Sequence, residues 1–204
     1  TLTPSPLFAT AVLGASLISK LGTDEQKKKY LPEIANGNLT CCFAFEEGPR
    51  HNPKISEVTA EKKGEKFLIN GKKCFVVDGG FADLIIIAAK SSKGTSLFLA
   101  QKDSKGIEVK EAKMVDSRNS ANILFTGLEI NSENVLGEID NAQDTIEEVL
   151  DIARAAISAE MLGGALEAFE ITVNYLKERE QFGVKIGSFQ ALQHRAANMF
   201  TELE

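Results

Sequence analysis

Leu150-Asp151-Ile152-Ala153-Arg154, an alanine-rich run through Gly163-Gly164, and then Tyr175-Leu176-Lys177-Glu178-Arg179-Glu180-Gln181-Phe182-Gly183 form the stretch that decides the fold. Ile152, Ala155, Ala156, Ala159, Leu162, Leu166, Phe169, Val173 and Leu176 recur at steps of three and four, which predicts a helix with one apolar face. No proline interrupts the pattern from about Thr145 to Glu180, so at ~1.5 Å per residue the helix spans roughly 50 Å. A helix of that length is expected in a bundle. Gly163 and Gly164 each weaken it by about 1 kcal/mol relative to alanine, so a neighbouring helix or a ligand is expected to approach closely there. Gly183 and Gly187 end one helix and space out the next, which is predicted from Ser188, as N-cap, to Glu204. With neither cap nor breaker at Glu204, the sequence reads as a fragment that stops inside a helix.

Working outward, three more ordered stretches carry information: Leu21-Gly22-Thr23 with Glu25-Gln26-Lys27, Tyr30-Leu31-Pro32 and Asn36-Gly37; Phe67-Leu68-Ile69-Asn70-Gly71 with Lys73; and Glu133-Asn134-Val135-Leu136-Gly137. Together with Leu-Asp-x-x-Arg, Tyr-x-x-x-Arg-x-Gln-Phe-Gly and Phe189-Gln190, they resemble the acyl-CoA dehydrogenase family over essentially the whole chain. The long helix and its successor are similar to the first two carboxy-terminal helices of that family.

Local signals give the layout independently. Leu7, Ala11, Leu13, Leu17, Ile18 and Leu21 predict a buried helix after a Thr3-Pro4-Ser5-Pro6 turn, ending at Gly22. Thr23 and Gln26 form a capping box for a second helix from Asp24 to about Tyr30, with turn signals at Pro32 and Asn36-Gly37. From Leu39 the texture becomes β-like. Candidate strands are residues 40–45, 55–62, 66–70, 72–77, 84–89, 96–101, 107–110 and 123–130, with Asn70-Gly71 predicted as a hairpin turn between the third and fourth. The fold class is therefore α+β and multi-domain. Residues 1–38 read as the end of a helical domain, 39–135 as an antiparallel β-barrel or sandwich, and 136–204 as the start of an incomplete four-helix bundle.

The chain has 204 residues, 43% hydrophobic and 25% charged, with a formal net charge of -6. That is an ordinary globular composition, and the acidic balance argues against nucleic acid as a partner. The apolar run at Leu84–Ala89 is far short of the ~18 residues of a transmembrane helix. Cys41, Cys42 and Cys74 give neither a disulfide framework nor metal-ligand spacing, which fits a reducing compartment. His51 and His194 lack a second ligand at metal-binding spacing, so no metal site is expected. The lysine runs Lys27–Lys29 and Lys62-Lys63 read as solvated faces or as anion sites. No nucleophile elbow, phosphate loop or dinucleotide fingerprint is present. The chain opens on Thr1, so a targeting segment is read as missing rather than absent.

The resemblance implies an oxidoreductase that uses FAD to oxidise an acyl-CoA thioester at Cα–Cβ in fatty acid metabolism. It implies passage of electrons to an electron-transfer flavoprotein, a homo-oligomeric assembly, and a location in the cytoplasm or mitochondrial matrix. Arg179, Gln181, Phe182 and Gln190 fall where relatives contact FAD, commonly that of a neighbouring subunit. On residue grounds alone, Arg179 pairs with Glu178 or Glu180 on the helix surface. Leu150, Asp151 and Arg154 match positions along the acyl-CoA channel; Asp151 and Arg154 also form an ordinary i,i+3 pair.

Some members carry the catalytic glutamate just before that arginine, where this chain has Ala153, so no catalytic base is assigned. Three ligand-facing segments depart from the family. Its Thr-Glu-x-Gly-x-Gly-Ser-Asp loop is Phe45-Glu46-Glu47-Gly48-Pro49-Arg50-His51-Asn52 here, placing Phe45 toward the cofactor and His51 toward the substrate. Its Trp-Ile-Thr strand is Phe75-Val76-Val77: Phe75 can stack on a ring, and Val77 has no donor. Its Arg-x-Ser-x-Thr loop is only echoed by Ser117-Arg118-Asn119-Ser120. A non-catalytic partner subunit of the same fold is the alternative that these departures favour.

Overall fold

The computed structural model describes residues 5–52 and 54–204, so most of the expected turn at Thr3-Pro4-Ser5-Pro6 lies outside the described residues. Two compact units divide between Ala153 and Arg154.

The first unit opens with a π-helical stretch, Phe8–Ala15, that runs on as α1, Ser16–Leu21. Its wide turns press Thr10 and Gly14 against the first strand. The Thr10 hydroxyl donates to the Cys41 carbonyl and accepts from the Cys41 N–H, both at 3.1 Å, while a Cβ on Gly14 would meet Cys41 Sγ. The capping box forms as the sequence predicts: Thr23 Oγ1 accepts from Gln26 N, and Gln26 Oε1 accepts from Thr23 N. Helix α2, Asp24–Ala35, nevertheless runs past Tyr30 and contains Pro32. A proline in the last turn removes one N–H, and the turn closes around it because Asn36 N donates to the Pro32 carbonyl at 2.9 Å. Gln26 Nε2 also donates to the carbonyls of Glu133 and Val135, fastening α2 to the sheet.

Strands β1 (Cys41–Ala44), β2 (Thr59–Lys63), β3 (Lys66–Val77), β4 (Leu84–Lys90), β5 (Thr95–Gln101), β6 (Ile107–Lys113), β7 (Asn119–Asn131) and β8 (Val135–Leu136) form one sheet. The region expected to be β is β. The expected antiparallel barrel or sandwich is instead an open mixed sheet of order β6-β7-β3-β2-β4-β5-β8, in which β1 and β2 each pair parallel with β4. It does not close, because β6 and β8 stand at the two ends. Side chains of β4 alternate between two cores: Leu84, Ile86 and Ala88 face α1, α2 and the residues Ile146, Val149 and Ala153, whereas Ile85, Ile87 and Ala89 face Ile69, Val76, Ile123 and Phe125. Burial on both faces explains the unbroken apolar run at 84–89.

Asn70-Gly71 is not a hairpin turn. β3 continues through it with a register shift between Ile69 and Gly71 against β7, and Asn70 Oδ1 accepts from Gly127 N at 2.7 Å. Gly71 has φ 129°, and a Cβ there would lie 2.8 Å from Val58 Cα, so the glycine serves a bulge and a close crossing. The hairpin turn falls at Gly64 instead, between β2 and β3.

Helix α3, Gln143–Glu178, matches the predicted long helix. In the second unit its residues Met161, Leu162, Leu166, Ile171 and Tyr175 are exposed, and a Cβ on Gly163 would meet nothing within 4 Å. The close neighbour expected at Gly163 is therefore not supplied by the described residues. A two-residue turn at Phe182-Gly183, with φ 54° and 78°, joins β9 (Glu180–Gln181) to β10 (Val184–Lys185). Helix α4 is Gln190–Leu203. Ser188 does not cap it, since its hydroxyl donates back to the Lys185 carbonyl at 2.7 Å, and the helix starts after an uncapped Phe189.

Candidate functional site

In the first unit the site grows from the exit of β1 and the far half of β3. β3 is irregular a second time, between Lys73 and Val76, where Phe75 takes φ 51°. A non-glycine residue in the left-handed region at a bulge marks a backbone that has been re-aimed. Phe75 and Val77 consequently stand outward, 55% and 38% exposed, while Val76 remains in the core.

The Phe45–Asn52 segment is tied alongside. Cys74 N donates to the Glu46 carbonyl at 2.7 Å, and Lys73 Nζ, with no exposed surface, donates to the Phe45 carbonyl at 2.9 Å and to Glu47 Oε1 at 3.0 Å. The Glu47 carboxylate also accepts from the N–H groups of Ser56, Glu57 and Val58, each at 2.9 Å. Burial opposes ionisation of Glu47, but those three N–H groups and Lys73 outweigh it and hold the carboxyl below its ordinary value. Burial draws Lys73 down to about 8, with Glu47 pulling the other way.

The Phe45 ring is buried against Phe43, with centroids 5.4 Å apart, and lies 6.2 Å from the His51 ring. His51 is exposed and its Nδ1 sits 2.5 Å from Glu46 Oε1. Leu150 packs against the first core beside the buried Ala153, which carries no titratable group.

On β7, Ser120 is paired in register with Val77. Directly opposite residues on neighbouring strands point to the same side of the sheet, so Ser120 shares the side of Val77, beneath the surface. It is buried and has no hydrogen-bond partner among the described residues. An orphaned donor opposite Val77, on the strand that also exposes Phe75, fits a flat aromatic group with polar edges, which is the chemistry of a flavin ring.

In the second unit the predicted cofactor residues cluster on the turn after α3. Arg179, Gln181, Phe182 and Gln190 are all exposed, Phe182 at 91%. The Phe182 ring meets Phe189 edge-on at 6.2 Å. Glu180 pairs with Lys185 at 2.8 Å, and Lys185 also donates to the Glu178 carbonyl. An exposed arginine on a tight turn with a side-chain amide two residues on suits a pyrophosphate. Arg154 opens this unit within α3, its carbonyl accepting from Ser158 Oγ. Asp151, three residues earlier, belongs to the first unit.

Of the residues expected at the site, Phe75 and Val77 lie on an exposed face and His51 is exposed, whereas Phe45 is buried in the first core; Lys73, Glu47 and Ser120 were not among those expected. Lys73 had a signal: with Phe67, Ile69 and Gly71 it occupies the alternate positions of β3 that face the core, where a charge requires a partner. Ser120 had only the loose echo of a ligand-facing loop at Ser117–Ser120, because an unpaired hydroxyl becomes visible only in three dimensions.

Among the described residues there is no metal-ligand cluster and no helix long and apolar enough to cross a membrane. Comparison with known proteins gives a consistent picture. Models of the amino-terminal, middle and carboxy-terminal domains of acyl-CoA dehydrogenase match residues 2–38, 42–128 and 144–204. The short/branched chain specific acyl-CoA dehydrogenase of Bos taurus is 33% identical over 92% of this chain and 45% of its own length. A glutaryl-CoA dehydrogenase from Mycobacterium smegmatis, solved with FADH2, superposes with TM-score 0.91 at 26% identity, covering 96% of this chain and 52% of that one. A chain in the structure described as an electron transferring flavoprotein of Acidaminococcus fermentans superposes with TM-score 0.90 at 35% identity, covering 97% of this chain and 55% of that one. The chain thus spans about half the length of the relatives it matches. Three domain models matched in order, together with the shared fold, place the chain in the acyl-CoA dehydrogenase family.

Proposed function

We propose that the protein containing this chain is an FAD-dependent acyl-CoA dehydrogenase that oxidises an acyl-CoA thioester across Cα–Cβ. The observation that carries the reading is the outward face of Phe75 and Val77 with the orphaned Ser120 hydroxyl beside it. When bound, FAD supplies the hydride acceptor. The chain's own residues do the positioning: Phe75 and Val77 offer an apolar platform, Ser120 a hydroxyl donor, and Arg179 with Gln181 and Gln190 a charge-assisted grip on a pyrophosphate. Leu150 and Asp151 of the first unit are assigned to the thioester, with His51 on its approach; Arg154 of the second unit is assigned to acyl-CoA separately. Ala153 supplies no base, so the α-proton goes to a residue outside this chain's assigned set. The 91% exposure of Phe182 supports an assembly in which a second copy covers the turn. The electron acceptor is a separate flavoprotein, a reading supported by the likeness to a chain from a flavin-bifurcating system.

Purified full-length protein tests this directly. Visible flavin absorbance that bleaches anaerobically on addition of a saturated acyl-CoA is the expected result. The absence of a hydroxyl at Val77 and Phe45 favours a second reading, a partner subunit with a degenerate flavin site. Retained flavin that no acyl-CoA bleaches would select that reading, and absence of flavin would overturn the first.

A further inference from the structure

We propose that Lys73 and Glu47 are positioning residues whose buried ion pair joins the segment after β1 to the bulge of β3, so that the loop and the Phe75 face meet a ligand as one rigid surface. The inference rests on the flavin reading above for its functional consequence and on geometry alone for its structural one.

Seven hydrogen bonds tie the segment together around the pair. From β3 come Lys73 Nζ to the Phe45 carbonyl at 2.9 Å and to Glu47 Oε1 at 3.0 Å. Cys74 adds its N–H to the Glu46 carbonyl and its thiol to the Glu47 carbonyl at 3.5 Å. From the other end of the connection, Ser56, Glu57 and Val58 donate three backbone N–H groups to the same carboxylate. Gly71, also on β3, leaves room for Glu57 and Val58, where a Cβ would lie 2.8 Å from Val58 Cα and 2.9 Å from the Glu57 carbonyl oxygen. One carboxylate thus gathers the start and the finish of the excursion between β1 and β2 onto the strand that aims Phe75.

Lys73 is fully buried and the Glu47 side chain is 8% exposed. A buried ion pair is weak support for overall stability, because desolvation offsets much of the attraction, whereas it fixes geometry strictly. The charged groups facing Lys73 are Glu47, then Glu46 and Glu57, with His51 engaged on Glu46. Burial lowers the Lys73 titration to about 8, so raising the pH through 8 neutralises the amine in the folded protein. Between that value and the ordinary lysine range the unfolded chain binds the extra proton, so Lys73 adds to global stability as pH rises. The clamp and the global fold therefore respond to alkali in opposite senses.

The test compares full-length wild type, Lys73→Met and Glu47→Gln. Amide exchange at Ser56, Glu57 and Val58, corrected for intrinsic rate, is expected to be at least about tenfold faster in both variants, and faster in wild type above pH 8 than below it. The FAD dissociation constant is expected to rise about tenfold in both variants and in alkaline wild type, while the profile of Lys73→Met stays flat from pH 7 to 9. Unchanged exchange at the three amides would overturn the proposal, whatever the flavin does. If wild type binds no FAD, the flavin reading fails while the exchange comparison still decides the clamp. Should Lys73→Met not fold, Glu47→Gln and the wild-type pH series carry both readouts.

Discussion

Replacing the half-buried Asp140 by alanine should loosen the junction between the sheet and α3 far more than replacing an exposed carboxylate such as Asp103. Asp140 sits between β8 and α3 at φ 66°. Its carboxylate accepts from Ser91 Oγ at 2.5 Å, Ser92 Oγ at 2.8 Å, Lys93 N at 2.9 Å and Gly94 N at 3.0 Å, which is the whole β4–β5 turn. Four donors to one half-buried carboxylate do not add independently; discounted for solvent, they contribute about 2 kcal/mol. Alanine at a left-handed position adds about 1 kcal/mol of strain. The sum of about 3 kcal/mol corresponds to a melting temperature lower by roughly 6–12 °C for a protein of this size. Asp140→Asn, which tolerates that backbone and keeps one oxygen, should lose about a third as much.

The pH dependence has a definite sign. The Ser91 hydroxyl first, then Lys93 N–H, the Ser92 hydroxyl and Gly94 N–H, hold the Asp140 carboxyl well below the usual carboxylate range. Its contribution is therefore present above the unfolded value near 4 and is lost as pH falls through the depressed folded value. Thermal melts of wild type, Asp140→Ala, Asp140→Asn and the exposed control Asp103→Ala at pH 7 and pH 3 make the measurement. If Asp140→Ala melts no lower than Asp103→Ala, the four contacts are surface decoration and the reasoning fails.

Arg179→Ala in the assembled full-length protein should weaken FAD binding by roughly ten- to hundredfold, the loss of one charge-assisted bond, while Lys28→Ala should leave it nearly unchanged at matched ionic strength. Ser120→Ala should raise the stability of the flavin-free protein by about 1 kcal/mol in chemical denaturation, because it removes an unpaired buried hydroxyl; the same change should lower flavin retention. Gly71→Ala should be strongly destabilising in the same assay, since the added Cβ would lie 2.8 Å from Val58 Cα and 2.9 Å from the Glu57 carbonyl oxygen, with backbone on the opposing side.

Features with a local cause were legible in the sequence. The Thr23–Gln26 capping box and the glycine stop of α1 are set by neighbours a few residues away, and the long apolar periodicity of α3 needs no tertiary information. Features whose cause is distant were not. Asn70-Gly71 carries a strong hairpin signal, but the segment around Val58 crosses at Gly71 and β7 pairs on both sides of it, so the strand runs on. Ser188 looks like an N-cap, but its hydroxyl is taken by Lys185. The apolar β4 run showed burial on two faces without showing that β1 and β2 would lie parallel to it. At the proposed site, Phe75 was named from motif position, and the buried Lys73–Glu47 pair beside it was not.

The sheet's pairing pattern also governs how the protein is made. β3 pairs with β7 from Lys66↔Asn131 inward, and β5 pairs with β8 through Leu97↔Leu136. Contacts this far apart in sequence form late, because the intervening chain must be ordered first. The α1–α2 pair and the β2–β3 hairpin make their local contacts early in synthesis. β4, apolar on both faces, does not: β2 and β3 precede it, but Ile123, Phe125, Leu128 and Ile130 of β7, which complete the second core, are added only later. A nascent chain halted before that point would display the Leu84–Ala89 strand to other chains, so arrest in the interval between β4 and β7 is where aggregation and chaperone capture should peak.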